Sequence, residues 1–292
     1  MNMADEVGHG VEAGGLEADI NYLAPGVGRP VSYMSDPPPG VPWMTRDLTP
    51  RRMRIRDARP LAAAGALGLD TTGFELVAHR SASADFASHA AVRARYHAEV
   101  DALLRAATGA ERVVIFDHTL RDSERGERGS PTLRGAVRRA HVDQTPASAL
   151  RRMADHVPAG EAAALAGQRF AIINVWRPLE TVECMPLAVC DARSVAPGDL
   201  VASDLVYPDR VGETYLVNWN AEHRWYYFPR QRSDEVLLLK IHDSLASGVA
   251  RHAPHTAFDH PATPRMVAPR RSIEVRALVF WRDGGQESRV ER

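Results

Sequence analysis

Between Arg138 and Arg282 the chain is cut into short apolar runs by Gly, Pro, Asn and Asp, and this rhythm restricts it to an all-β barrel or jelly roll. The runs are 138–145 (RRAHVDQT), 168–179 (QRFAIINVWRPL), 184–192 (CMPLAVCDA), 212–220 (GETYLVNWN), 223–231 (HRWYYFPRQ), 235–243 (EVLLLKIHD) and 271–282 (RSIEVRALVFWR). One helical stretch, 147–157 (ASALRRMADHV), interrupts them. There is no internal repeat.

Upstream the texture differs. In 83–109 Val92, Tyr96, Val100, Leu103 and Leu104 recur at helical spacing and Gly109 marks the stop, which predicts a scaffold helix. A short strand, Val113 to Phe116, then leads into a charged loop. Residues 21–59 are Pro-rich and read as an extended arm laid over the core, anchored by Tyr22, Tyr33 and Trp43. Residues 1–20 are rich in Gly, Glu and Ala without periodicity and read as a mobile tail. The expected organisation is one domain over 21–292, with arm and scaffold helix in 21–110 and barrel core in 111–282.

Composition narrows the partners. With 292 residues, 45% of them hydrophobic, the chain can bury a sizeable core. Its 36 basic and 37 acidic side chains nearly cancel, so no long-range field selects for nucleic acid or an anionic membrane, and a small-molecule partner is expected. Self-association is left open. Cys184 and Cys190 lack a second pair, which argues against a disulfide scaffold or a Cys-rich zinc site and suits a reducing cytoplasm. The first residues have no apolar h-region, and no run of about 18 apolar residues occurs.

Among the twelve histidines only His141 is followed two places on by Asp, in AHVDQTP. On a strand, period-two alternation turns His141 and Asp143 to one face, as chelation by two neighbouring ligands requires. His97-Ala98-Glu99 is the carboxylate variant, but it falls within the helix, where i and i+2 do not face each other. A distal histidine would complete a 2-His-1-carboxylate facial triad with three open positions, a site suited to oxygen activation on Fe(II). His252, His255 and His260 cluster in RHAPHTAFDHP and are the candidates.

A strand then opens in which Arg270, Ser272, Glu274 and Arg276 share a face while Ile273, Val275 and Ala277 pack on the other. Arg270 with Ser272 is suited to clamp a distal carboxylate, because a planar guanidinium gives bidentate, charge-assisted hydrogen bonds. Arg276 is a second candidate anchor, or an internal ion pair with Glu274. In 168–179 Asn174 and Trp176 share a face and are candidate pocket residues, with Arg177 at a rim. One of Tyr226 and Tyr227 must face inward, towards substrate. Gln144 and Thr145 are candidates to support Asp143 by hydrogen bonds. His242 and Asp243 are adjacent on a strand, face opposite ways and form no dyad. No phosphate-binding Gly-rich loop and no G-x-S-x-G elbow is present.

Taken together, HVDQT, INVWRPL, ASDLVYPDR, RWYYFP with DEVLLLKIHDS, PHTAFDHP and RRSIEVRALVF resemble the family of cephem-methoxylase small chains and fungal hydroxylase/desaturases, which includes gibberellin-desaturase-like oxidoreductases. The resemblance spans roughly Asn21 to Trp281. It implies a mainly β fold with flanking helices, a double-stranded β-helix of the jelly-roll, cupin-like kind, and it implies Fe(II), 2-oxoglutarate and O2. Hydroxylation, desaturation or a related oxidation in natural-product biosynthesis is the activity it suggests. It also makes His255 the distal ligand, although His260 stands closer in sequence to Arg270. Where the family often has an acidic residue between Arg and Ser, this chain has Arg271, which leaves Arg270, Arg271 and Arg276 open as anchors.

The rival expectations are a metal-dependent cupin-like isomerase or epimerase that uses no 2-oxo acid, and a non-catalytic accessory subunit. The Pro-rich arm, the loop RDSERGERGS and the segment Pro208 to Arg210 are expected to form lids at the barrel mouth.

Overall fold

Glu235–Asp243 offers no polar face to solvent, and all nine of its residues are buried, as are all nine of Phe170–Pro178. Strands of this kind belong inside a sheet covered on both faces, and the computed structural model, which describes residues 14–83, 86, 88–124, 134–264 and 266–281, puts them there. In chain order the strands are β1 (Gly15–Leu23), β2 (Val31–Tyr33), β3 (Leu48–Asp57), β4 (Phe74–Ala78), β5 (Arg112–Asp122), β6 (His141–Val142), β7 (Phe170–Pro178), β8 (Leu187–Cys190), β9 (Leu200–Val206), β10 (Val211–Val217), β11 (Trp225–Tyr227), β12 (Glu235–Asp243), β13 (His255–Ala257) and β14 (Arg271–Phe280). They form a nine-stranded sheet, β1-β3-β11-β8-β13-β6-β10-β9-β2, and a five-stranded sheet, β4-β12-β7-β14-β5. Apart from β11 on β3 and β2 on β9, the pairings are antiparallel. The architecture is the expected mainly β jelly roll.

Alternation then distributes the side chains. Ile172 and Trp176 of β7, Leu237 and Leu239 of β12 and Leu278 of β14 share a core with Val189 of the larger sheet, so this face looks into the roll. The opposite face, with Ile173, Val175, Leu238, Val275 and Ala277, receives the helical segment. That segment runs through α2 (His89–Ala91), a π-helical turn (Val92–Tyr96) and α3 (His97–Thr108), following α1 (Arg59–Ala63) in the chain. Val92, Tyr96, Val100, Leu103 and Leu104 are all buried on the sheet, as their spacing predicts. Gly109 ends α3 with φ 70°, the left-handed conformation that favours glycine. Two further helices, α4 (Pro146–His156) and α5 (Ala159–Ala166), follow β6.

Several sequence expectations need correction. The first 20 residues are not all a tail, because Gly15 to Ile20 already pair with β3; residues 1–13 lie outside the described residues. The Pro-rich arm is no strap, since it supplies the end of β1 and all of β2 and β3 to the larger sheet. Tyr22 is fully buried, Tyr33 is half-buried, and Trp43, 51% exposed, anchors nothing. The strand expected at Val113 to Phe116 extends over Arg112–Asp122. Most of the RDSERGERGS loop lies outside the described residues, and Pro208 to Arg210 form the turn between β9 and β10. Among the described residues no helix is long and apolar enough to cross a membrane.

Candidate metal and oxo-acid site

Strand β13 pairs with β6 so that His255 stands directly opposite His141. Their rings lie 4.4 Å apart by centroid, and Asp143 follows in the turn after β6, its Oδ1 3.3 Å from His141 Nε2. Among the described residues this is the group of three whose ligand atoms could share a metal ion, all within 4.8 Å of one another. Each imidazole is oriented by a backbone carbonyl, His141 Nδ1 on Arg139 O at 2.8 Å and His255 Nδ1 on Ala253 O at 3.2 Å. Both therefore present Nε2 to the shared centre. His260 is elsewhere, near Tyr227 and Phe258, and His252 hydrogen-bonds Ile241 O.

Electrostatics keep these groups in the forms that bind a metal ion. Burial, together with the neighbouring His255, pulls His141 down to about 4, so its imidazole is neutral at pH 7. Burial opposes ionisation of Asp143, yet the Arg276 guanidinium holds its carboxyl well below the usual range. The second carboxylate oxygen, Oδ2, accepts from Asn174 Nδ2 at 2.7 Å and from Arg276 Nε at 3.1 Å. Asn174 and Arg276 are opposed across β7 and β14, which is why both reach Asp143. Gln144 and Thr145 do not supply this support. Thr145 caps α4 in a reciprocal box with Ser148, and Gln144 is buried and makes no hydrogen bond to Asp143.

A small cleft opens beside these groups and is lined by His141, His255, Trp176, Arg121, Arg270 and Glu274 among others. Arg270 enters it with its guanidinium 5.5 Å from the Trp176 ring, donating through Nη1 to Met185 O. Met185 has φ 44°, a strained conformation for a non-glycine residue, held where its carbonyl meets Arg270. Arg270 Nε and Ser272 Oγ are both buried without a hydrogen-bond partner. Burial depresses Arg270 to about 10, so it remains a cation at neutral pH.

The other expected site residues divide. Arg276 is saturated: besides Asp143 it meets Glu274, Asp117 at 3.0 Å and Thr119 Oγ1 at 3.0 Å, which corrects its expected part as an oxo-acid anchor. Trp176 is buried in the cleft wall. Arg177 faces away, on the helix side of the sheet, with Nε on Tyr96 Oη at 2.8 Å and Nη1 on His79 O at 2.9 Å, so the structure does not bring it to the cleft. Tyr226 takes the inward side of β11, 6.0 Å from the Phe74 ring, while Tyr227 packs outward on Phe258. Arg121 and Glu274 also line the cleft, and Arg139 stands two residues before His141; of the three, the sequence pointed only to Glu274, through the face it shares with Arg270.

Comparison with known proteins agrees with this geometry. The family model described as oxidoreductase/YMDC permease-like domain matches residues 20–280. The chain is 38% identical over 279 residues to the Fe(II)/2-oxoglutarate-dependent dioxygenase nvfI of Aspergillus novofumigatus, covering 90% of this chain and 96% of that one. It is 36% identical over 262 residues to the hydroxylase/desaturase CTB9 of Cercospora beticola, covering 82% and 79%. A solved structure of the iron and alpha-ketoglutarate-dependent endoperoxidase NvfI superposes with TM-score 0.82 at 32% identity, over 91% of this chain and 98% of that one. The chain belongs to this oxidoreductase family, which it shares with fungal Fe(II)/2-oxoglutarate-dependent dioxygenases and hydroxylase/desaturases.

Proposed function

We propose that the protein is a non-haem Fe(II)- and 2-oxoglutarate-dependent oxygenase that hydroxylates, desaturates or otherwise oxidises a small molecule in natural-product biosynthesis, with the metal on His141, Asp143 and His255 and the distal carboxylate of 2-oxoglutarate on Arg270 and Ser272. The observation that carries the reading is the pairing of a two-histidine, one-carboxylate donor set with unpartnered Arg270 Nε and Ser272 Oγ in the same region. The donor set fits Fe(II), and the free guanidinium edge and hydroxyl fit a carboxylate.

When bound, iron with 2-oxoglutarate and O2 supplies oxidising power for a substrate C–H bond, releasing succinate and CO2. The protein's own residues orient and enclose. Arg139 O and Ala253 O fix the imidazoles, while Asn174 and Arg276 hold Asp143 Oδ2 and leave Oδ1 for the metal. Trp176 forms an apolar wall beneath Arg270 that keeps water from the clamp. Tyr226 is the inward tyrosine available to a substrate.

Two buried, unpaired thiols, Cys184 and Cys190, support a cytoplasmic setting. The test is 2-oxoglutarate-dependent succinate release by the Fe(II)-loaded protein. Release that is lost in His141→Ala is expected; absence of succinate with Fe(II) bound would favour the isomerase, and absence of Fe(II) binding the accessory subunit.

A further inference from the structure

Arg139 is the anomaly beside the metal ligands. It precedes His141 by two residues, and its carbonyl holds the His141 ring at 2.8 Å, so its backbone is fixed to the site. Its side chain lies within electrostatic reach of Asp143, Arg46 and Arg121. Its Nε is out of reach of solvent and has no hydrogen-bond partner, and among the described residues no carboxylate stands at ion-pair distance. Asp143 cannot serve, since its oxygens face His141 on one side and Asn174 and Arg276 on the other. Arg46 is also without an acidic partner, donating to Ser32 Oγ at 2.5 Å. Arg121 is committed to Gly135 O at 3.1 Å and, more loosely, to Glu274 at 3.7 Å, and it lines the cleft.

Arg139 is half-buried, but its Nε is shut from solvent with no acceptor, and a guanidinium nitrogen left so is costly unless an anion completes it. Arg270 is already matched with Ser272 in the reading above. We propose that Arg139, with Arg46 within electrostatic reach, forms a second carboxylate-binding subsite beside the His141 end of the candidate metal site, separate from the Arg270 and Ser272 clamp. Its ligand is a carboxylate from one of two sources, the oxo-acid end of 2-oxoglutarate or an acidic group on the organic substrate. A planar fork with a free Nε edge suits bidentate contact with either. This inference rests on the oxygenase reading.

The experiment is anaerobic calorimetric titration of 2-oxoglutarate into the Fe(II)-loaded full chain, for the wild type, Arg139→Gln and Arg139→Lys. A wild type that binds no 2-oxoglutarate would sink the oxygenase reading itself, independently of Arg139. With wild-type binding established, weakening of about tenfold to a hundredfold in R139Q, partly recovered in R139K, assigns the subsite to the oxo-acid end. If 2-oxoglutarate binds R139Q unchanged, benzoate is added as a monocarboxylate probe to the loaded proteins. A rise in wild-type melting temperature that R139Q loses assigns the subsite to a substrate acid. Unchanged 2-oxoglutarate affinity together with a benzoate response that is absent, or equal in both proteins, would overturn the proposal. Should R139Q fail to fold, Arg46→Gln serves in the same titrations, with a smaller loss expected and the same overturning result.

Discussion

Asp143 divides its work between two oxygens. Oδ1 is turned to His141 and the shared centre, whereas Oδ2 is held by Asn174 and Arg276. Such outer partners commonly govern metal affinity by about 10–100-fold. Asn174→Ala is therefore expected to weaken Fe(II) binding by about that much in a chelator competition while melting near the wild type; unchanged affinity would remove Asn174 from this positioning part. Histidines set a separate prediction. His118, buried between His89 and His97, is pulled down to about 4, and His242, buried beside His252, to about 3. In the unfolded chain both titrate near 6.5. Between pH 6.5 and about 4 the unfolded chain thus binds more protons, so their contribution is whole above pH 6.5 and stability falls as pH drops through that window. Urea midpoints at pH 7.5 and pH 5 should show the decline, and His118→Gln should show less of it. Identical midpoints at the two pH values would contradict the assignment.

At the scale of elements, α3 covers the outer face of the small sheet through side chains whose spacing was legible in the sequence. Leu104 is fully buried there, and Leu104→Ala should cost about 2–5 kcal/mol in chemical denaturation; a cost below about 1 kcal/mol would mean the helix docks more loosely than its burial indicates. The π-helical turn at Val92–Tyr96 was not legible, because apolar spacing gives no sign of one extra residue in a turn. Strands β7, β12 and β14 could be read because each is a long, strongly patterned run. By contrast β6 has two residues and β13 three, too short for periodicity, and they are strands only through pairing with each other and with their neighbours. In β3 the alternation of Met53 and Ile55 inward with arginines outward was present in RRMRIRD, but the prolines nearby made the segment read as a strap.

Over the whole molecule, two sheets of different size close on one core, and the proposed metal ligands come from β6, the turn after it, and β13, within the larger sheet. Their supports come from the smaller sheet, Asn174 on β7 and Arg276 on β14, so the site spans the two layers. This division explains what the sequence could show. His141 and Asp143 are near neighbours in the chain and could be paired by spacing, and Arg270 with Ser272 likewise. Arg276 on Asp143, 133 residues apart, and the isolation of Arg139 arise only from tertiary packing. The most direct test of the whole is anaerobic titration of the metal-free protein with Fe(II) and then 2-oxoglutarate, followed by the weak visible charge-transfer absorption of an oxo acid chelated to iron at an open facial site. The expected result is a band that appears with the wild type, is absent in His255→Ala, and needs more 2-oxoglutarate in Arg270→Gln. A band that survives intact in His255→Ala, or none with iron bound to the wild type, would contradict the central claim.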